Sequence, residues 1–132
     1  MDLTLKEVRS IDSPGFILKD KTFASITSPL MKNQFIDPNN QTHIGYYIKK
    51  GTYIIELNEG CDFGPNDTGY IILRSSLNRS GVSICSAVWD PQYTSRDGEV
   101  VNTMSIRLTV DTDEGVFIEE NARIAQLIVF EN

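Results

Sequence analysis

The chain has 132 residues, 40% of them hydrophobic and 23% charged. That is the balance of one globular domain, residues 1–132, and it excludes a disordered or fibrous chain. Eighteen acidic residues against twelve Lys and Arg give a net charge of −6, which argues against a protein that lives on a nucleic-acid backbone.

No apolar run approaches the ~20 residues of a membrane span. Met1–Lys6 lacks the basic-then-apolar order of a secretory signal. A cytoplasmic protein with no membrane or nucleic-acid partner is therefore expected, its two cysteines, Cys61 and Cys85, reduced and buried. Short apolar runs with period two, rich in Val, Ile, Thr, Tyr and Phe, predict strands at Leu3–Val8, Lys21–Thr27, Gly45–Ile48, Thr52–Leu57, Gly69–Leu73, Gly81–Cys85, Val101–Val110, Gly115–Ile118 and Arg123–Phe130. Turn residues separate them, notably Asp37-Pro38-Asn39-Asn40, Lys49-Lys50-Gly51 and Asp111 to Gly115. Helical periodicity is nowhere sustained, and Asn78 to Ser80 is read as one turn at most. Ser28 to Thr42, polar and with two prolines, reads as a long surface loop, and Thr94 to Thr103 as a second loose stretch. Nine strands at this spacing predict an all-β barrel or two-sheet jelly roll.

Three blocks carry chemistry. Leu73-Arg74-Ser75-Ser76-Leu77-Asn78-Arg79-Ser80-Gly81 sets two guanidinium groups and three hydroxyls directly after an apolar strand, a donor set suited to phosphate oxygens. Alone, it reads equally as a solvated turn with serine caps. Asp90-Pro91-Gln92-Tyr93 is a carboxylate and a ring three residues apart, and also an ordinary turn-starter. Arg123-Ile124-Ala125-Gln126-Leu127 is a normal buried strand, in which Gln126 satisfies either a ligand or a backbone group.

In order and spacing the three blocks resemble the family that contains the trimeric dUTP diphosphatases and the dCTP deaminases, most of all its archaeal-type branch. Arg74-Ser75-Ser76-Leu77 is similar to its phosphate-binding motif, Asp90 with Tyr93 to the Asp-x-x-Tyr of its nucleoside-binding hairpin, and Arg123 to Leu127 to its Arg-Ile-Ala-Gln-Leu motif. A fainter echo is Asp2-Leu3 at the first motif. The resemblance implies a β-clip, a distorted jelly-roll barrel, assembled as a homotrimer with sites between subunits. It implies hydrolysis of dUTP to dUMP and pyrophosphate with Mg²⁺. Asp90 would then activate the attacking water, and Tyr93 would pack on the deoxyribose. Arg74, Ser75, Ser76 and Gln126 would hold the phosphates, and Asp2 would reach the metal through a water. Arg79 and Arg123 are further candidates in the same motifs.

The sequence departs from the family in four places. The deaminases' proton-shuttling glutamate has no counterpart in Ser105-Ile106-Arg107-Leu108-Thr109-Val110, which sets deamination behind hydrolysis. The glycine-rich C-terminal arm is not found after Phe130, which leaves a non-catalytic nucleotide-binding relative as the alternative. Thr94 to Val100 reads as an insertion that could replace that arm, with Asp97-Gly98 at its tip. Asp2 is expected to fray at the terminus. His43, the only histidine, reads as a surface residue, and with no second histidine or paired cysteine a zinc site is not expected.

Overall fold

The computed structural model describes residues 1–60, 66–84 and 104–130 in full, and the strand backbone alone at 88–89, 95–96, 99–100 and 131. In chain order the elements are β1 (Asp2–Ile11), β2 (Phe16–Ile17), β3 (Thr22–Phe23), β4 (Thr27–Pro29), β5 (Asn33–Ile36), β6 (Thr42–Ile48), β7 (Gly51–Leu57), β8 (Asp67–Leu73), α1 (Ser75–Arg79), β9 (Val82–Ile84), β10 (Val88–Trp89), β11 (Ser95–Arg96), β12 (Glu99–Val100), β13 (Ser105–Val110), β14 (Val116–Glu119) and β15 (Arg123–Glu131). The all-β expectation holds. No described helix is long and apolar enough to cross a membrane.

The main sheet runs β10-β8-β15-β1-β7-β13-β9, with β4 added beside β1, and curls into a near-closed, barrel-like wall. A second sheet, β14-β6-β5, covers it. β1 joins the two halves of the main sheet: its first residues pair with β15 and its later ones with β7, with a register shift at Leu3/Thr4 and another at Leu5/Glu7. Inward positions of these strands make one core in which Leu3, Leu5, Val8, Ile55, Leu57, Leu108 and Ile124 are fully buried. Each such side chain contributes roughly 1.5–3 kcal/mol of burial. Tyr46, Ile48 and Ile118 complete the core from the second sheet. Within this second sheet β6 and β14 approach so closely that Gly45 has no room for a side chain: a Cβ there would lie 2.3 Å from the Ile118 carbonyl oxygen.

Three expectations need correction. Ser28 to Thr42 is not one loop, because it contains the end of β4 and all of β5. The Asp37 carboxylate accepts the N–H groups of Asn39 (2.9 Å) and Gln41 (3.0 Å), Asn40 takes a positive φ of 62°, and the tight turn folds Asn33–Ile36 back onto β6. The turn was legible; its power to make a strand of a polar flank was not. Lys21–Thr27 is two short strands, since the Ile26 N–H bonds to Ser13 Oγ (2.7 Å) instead of a ladder partner. The helical turn starts at Ser75, earlier than Asn78. Cys61, Cys85, Asp97 and Gly98 lie outside the described residues.

Candidate functional site

β8 ends at Leu73, and Arg74 takes an extended conformation (φ −61°, ψ 135°) before the chain turns into α1. Its backbone N–H donates to the Ile124 carbonyl (2.8 Å), fixing the start of α1 to β15. The turn carries no side-chain cap, so its first amides have no helical acceptor and are available to a ligand. Ser75, Ser76 and Arg79 are exposed on it, and Ser80 Oγ ties back to the Ser76 carbonyl (2.8 Å).

Beside Arg74 lies an open cleft of about 160 Å³, lined by Asp2, Ile72, Leu73, Arg74, Arg123, Ala125 and Gln126. Strand register assembles it. Asp2 on β1 stands opposite Gln126 on β15, and Gln126 stands opposite Ile72 on β8. Arg123 and Gln126 are three residues apart, and in a regular strand they would face opposite sides. They share the outer side here because the register slips at Leu3/Thr4: Leu3 pairs with Ala125 and Thr4 with Arg123. Ile124 is the extra residue, and both Ile124 and Ala125 turn inward. This bulge re-aims a side chain.

Two guanidinium groups, an amide and one carboxylate therefore meet. Arg123 Nη1 is 3.9 Å from Asp2 Oδ2, both side chains being more than half exposed, so the pair is loose and contributes little stability. Arg74 Nη1 donates to the Arg123 carbonyl at 3.4 Å and otherwise faces solvent. At the terminus the Leu127 N–H donates to the Met1 carbonyl (2.8 Å), which places Asp2 against β15. Among the described residues no group of three acidic, His or Cys side chains could cage a metal. Asp2 alone suits Mg²⁺, which commonly takes one or two carboxylates and completes its shell from substrate phosphates and water. The cleft is smaller than the roughly 300–1,000 Å³ of a small-molecule pocket. It can take phosphate groups, and a nucleoside would lie outside it.

Four of the sequence-predicted residues, Asp2, Arg74, Gln126 and Arg123, thus line one cleft, while Ser75, Ser76 and Arg79 sit beside it on α1. Asp90 and Tyr93 lie outside the described residues. The strand before them is placed: Val88 pairs with Tyr70 and Trp89 with Gly69, toward the start of β8, whereas Arg74 follows its end. On β13 the outward residues are Ser105, Arg107 and Thr109, with no carboxylate.

Two polar clusters were not foreseen. His43 is only partly exposed, with Nε2 2.8 Å from Asp37 and Nδ1 hydrogen-bonded to Glu119. Asp37 and then Glu119 raise its pKa above the ordinary value, and His43 and the Gln41 N–H lower that of Asp37. The second joins Glu59, Thr4, Asn58 and Asn121 at the bulge. Asn121 has a positive φ of 65°, and an asparagine before a strand was its one sequence signal.

A family model described as dCTP deaminase-like matches residues 1–132. The "Probable deoxyuridine 5'-triphosphate nucleotidohydrolase" of Halobacterium salinarum is 33% identical over 129 residues, 98% of this chain and 71% of its own length. The protein of the same name from Aeropyrum pernix is 29% identical over 132 residues, with the same two coverages. Among solved structures, a native dUTPase of EIAV has a TM-score of 0.52 at 17% identity, covering 74% of this chain and 82% of that one. The 2'-deoxycytidine 5'-triphosphate deaminase of Agrobacterium tumefaciens has a TM-score of 0.60 at 13% identity, covering 100% of this chain and 39% of that one. At these identities the structural likeness speaks for the fold.

Proposed function

The chain belongs to the dCTP deaminase-like family, and on that premise we propose that it is a Mg²⁺-dependent dUTP diphosphatase, converting dUTP and water to dUMP and pyrophosphate. The observation that carries this reading is the convergence of Arg74, Arg123, Gln126 and Asp2 on one phosphate-sized cleft. The names of the curated relatives point to the same substrate. The absence of a carboxylate on the outer side of β13 favours hydrolysis over deamination.

In this mechanism Arg74 and Arg123 neutralise the phosphate chain, Gln126 donates its amide N–H to a phosphate oxygen, and Ser75 and Ser76 add neutral donors from α1. Asp2 would hold a Mg²⁺ ion through a water, and when bound the ion would supply further charge neutralisation. Asp90 orients a water and takes its proton as the oxygen attacks the α-phosphorus. The bond to the bridging oxygen breaks and pyrophosphate leaves. Tyr93 covers the deoxyribose. Positioning and charge stabilisation do most of the work.

The site is shared between copies of the chain in a homotrimer. Two observations support this. The strand that leads to Asp90 pairs with the far end of β8 from Arg74. The sheet face that continues from the cleft exposes Tyr70 (45%), Ile72 (53%) and Phe130 (50%), an apolar patch of the kind a partner covers. The test is Asp90→Asn: turnover of dUTP should fall by orders of magnitude while a non-hydrolysable dUTP analogue still binds. Undiminished turnover would remove Asp90 from the chemistry.

A further inference from the structure

A bulge is expensive to hold, because it interrupts the ladder and leaves its residues free to slip by one. Here a slip would return Ile124 to the ladder and send Arg123 to the opposite side of β15 from Gln126. Something must prevent it, and a carboxylate outside the cleft is placed to do so. Glu59 lies just beyond the end of β7. Its Oε1 accepts the Thr4 backbone N–H at 2.6 Å and its Oε2 accepts the Thr4 hydroxyl at 2.5 Å. Thr4 is the residue paired with Arg123 at the register shift.

The clamp is continued on both sides. The Asn58 N–H donates to the Thr4 carbonyl (3.0 Å), and Asn58 Nδ2 reaches Thr4 Oγ1 (2.9 Å) and Asn121 Oδ1 (3.0 Å). The Asn121 N–H in turn donates to the Leu5 carbonyl (2.7 Å), and the Leu5 N–H to Ala122 (3.0 Å). The two residues that precede Arg123 are thereby tied to the two residues that follow the β1 register shift. Both hydrogen-bonding groups of the Thr4 backbone are satisfied from the β7 side, one by a charged acceptor, which makes the stronger kind of bond.

We propose that Glu59 is a positioning residue: through Thr4 it locks the β1–β15 register and so holds Arg123 on the cleft side, next to Asp2 and Gln126. The proposal deepens the functional reading above and rests on the cleft taking phosphate. Glu59 itself touches no substrate.

The test compares Glu59→Ala, Glu59→Gln and Thr4→Val with the parent chain in three measurements. The first is affinity for inorganic tripolyphosphate by calorimetry. The second is the NMR signal of the Arg123 side-chain Nε–H, assigned with Arg123→Lys. The third is thermal unfolding. Glu59→Ala should weaken tripolyphosphate about tenfold, the worth of one charge-assisted hydrogen bond, and should move the Arg123 signal. Thr4→Val, which removes the hydroxyl's bonds to Glu59 and from Asn58 but keeps the backbone bond to Glu59, should do the same in smaller measure. Glu59→Gln keeps an acceptor for the Thr4 N–H and should recover most of the affinity. Should Glu59→Ala fail to fold, the Thr4→Val and Glu59→Gln pair carries the comparison.

Lowered stability with unchanged tripolyphosphate affinity and an unmoved Arg123 signal would make Glu59 merely structural and overturn the proposal. A parent chain that does not hydrolyse dUTP would refute the diphosphatase reading alone, since phosphate binding and the Arg123 signal still report on the clamp. If the parent also ignores tripolyphosphate, the Arg123 signal decides: unmoved in Glu59→Ala and Thr4→Val, it overturns the clamp.

Discussion

Arg74→Ala and Asp90→Asn should each abolish dUTP hydrolysis, yet a mixture of the two proteins should be active. Trp89 pairs with Gly69, and Arg74 lies five residues further along the same strand direction. At about 3.3 Å per residue the two positions are separated by roughly 17 Å, and the single step from Trp89 to Asp90 recovers at most about 3.6 Å of that. On the proposed function, a triphosphate held at Arg74 would therefore meet the Asp90 of another copy.

In randomly mixed oligomers a site works when its Arg74 half comes from the Asp90→Asn chain and its Asp90 half from the Arg74→Ala chain, so about a quarter of parent activity should return, as a heterologous ring allows. The Arg74 side chain makes one long 3.4 Å bond to the Arg123 carbonyl, so its removal should cost less than about 1 kcal/mol of stability. Nucleotide affinity should nevertheless fall roughly 10- to 100-fold through lost charge-assisted bonds. The assay is pyrophosphate release after co-refolding two differently tagged variants, with mixed oligomers verified by sequential capture. Verified mixed oligomers as inactive as their parents would refute the shared site.

Other outcomes follow from the same structure. Gly45→Ala places a Cβ 2.3 Å from the Ile118 oxygen and 2.6 Å from Glu119 Cα, both backbone; it should lower the unfolding free energy by about 1–3 kcal/mol or more, read by urea denaturation. The His43 cluster predicts a pH window. Because His43 titrates above its ordinary 6.5, its contribution is complete below 6.5 and lost as pH rises through the raised value. Because Asp37 titrates below its ordinary 3.8, its contribution is present above 3.8 and lost as pH falls through the lowered value. Urea midpoints of the parent should fall at both ends of that window, and those of His43→Asn should be flatter on the alkaline side; parallel curves would deny the cluster any role.

The barrel was legible because its strands carry their own signal. Thr52–Leu57, Gly69–Leu73 and Arg123–Phe130 alternate or run apolar, and each became a strand within two residues of the expected ends. β5 was hidden because Asn33-Gln34-Phe35-Ile36 has no apolar period, and only its pairing with β6 makes it a strand. The motifs behind the family resemblance named Arg74, Gln126, Arg123 and Asp2, but not why they meet. Period-two reasoning alone would have set Arg123 and Gln126 on opposite faces, and the bulge that unites them depends on Glu59, distant in sequence and visible only through register. The partners of His43 were hidden for a similar reason: Glu119 reaches it from a strand whose pairing no local pattern announces.

The most direct measurement is to incubate the purified chain with dUTP, dCTP, dTTP and UTP, with Mg²⁺ and with a chelator, following pyrophosphate and ammonia separately. The account predicts pyrophosphate from dUTP alone, lost on chelation, and no ammonia from any substrate. Ammonia from dCTP, or nucleotide binding without turnover of any of the four, would contradict it.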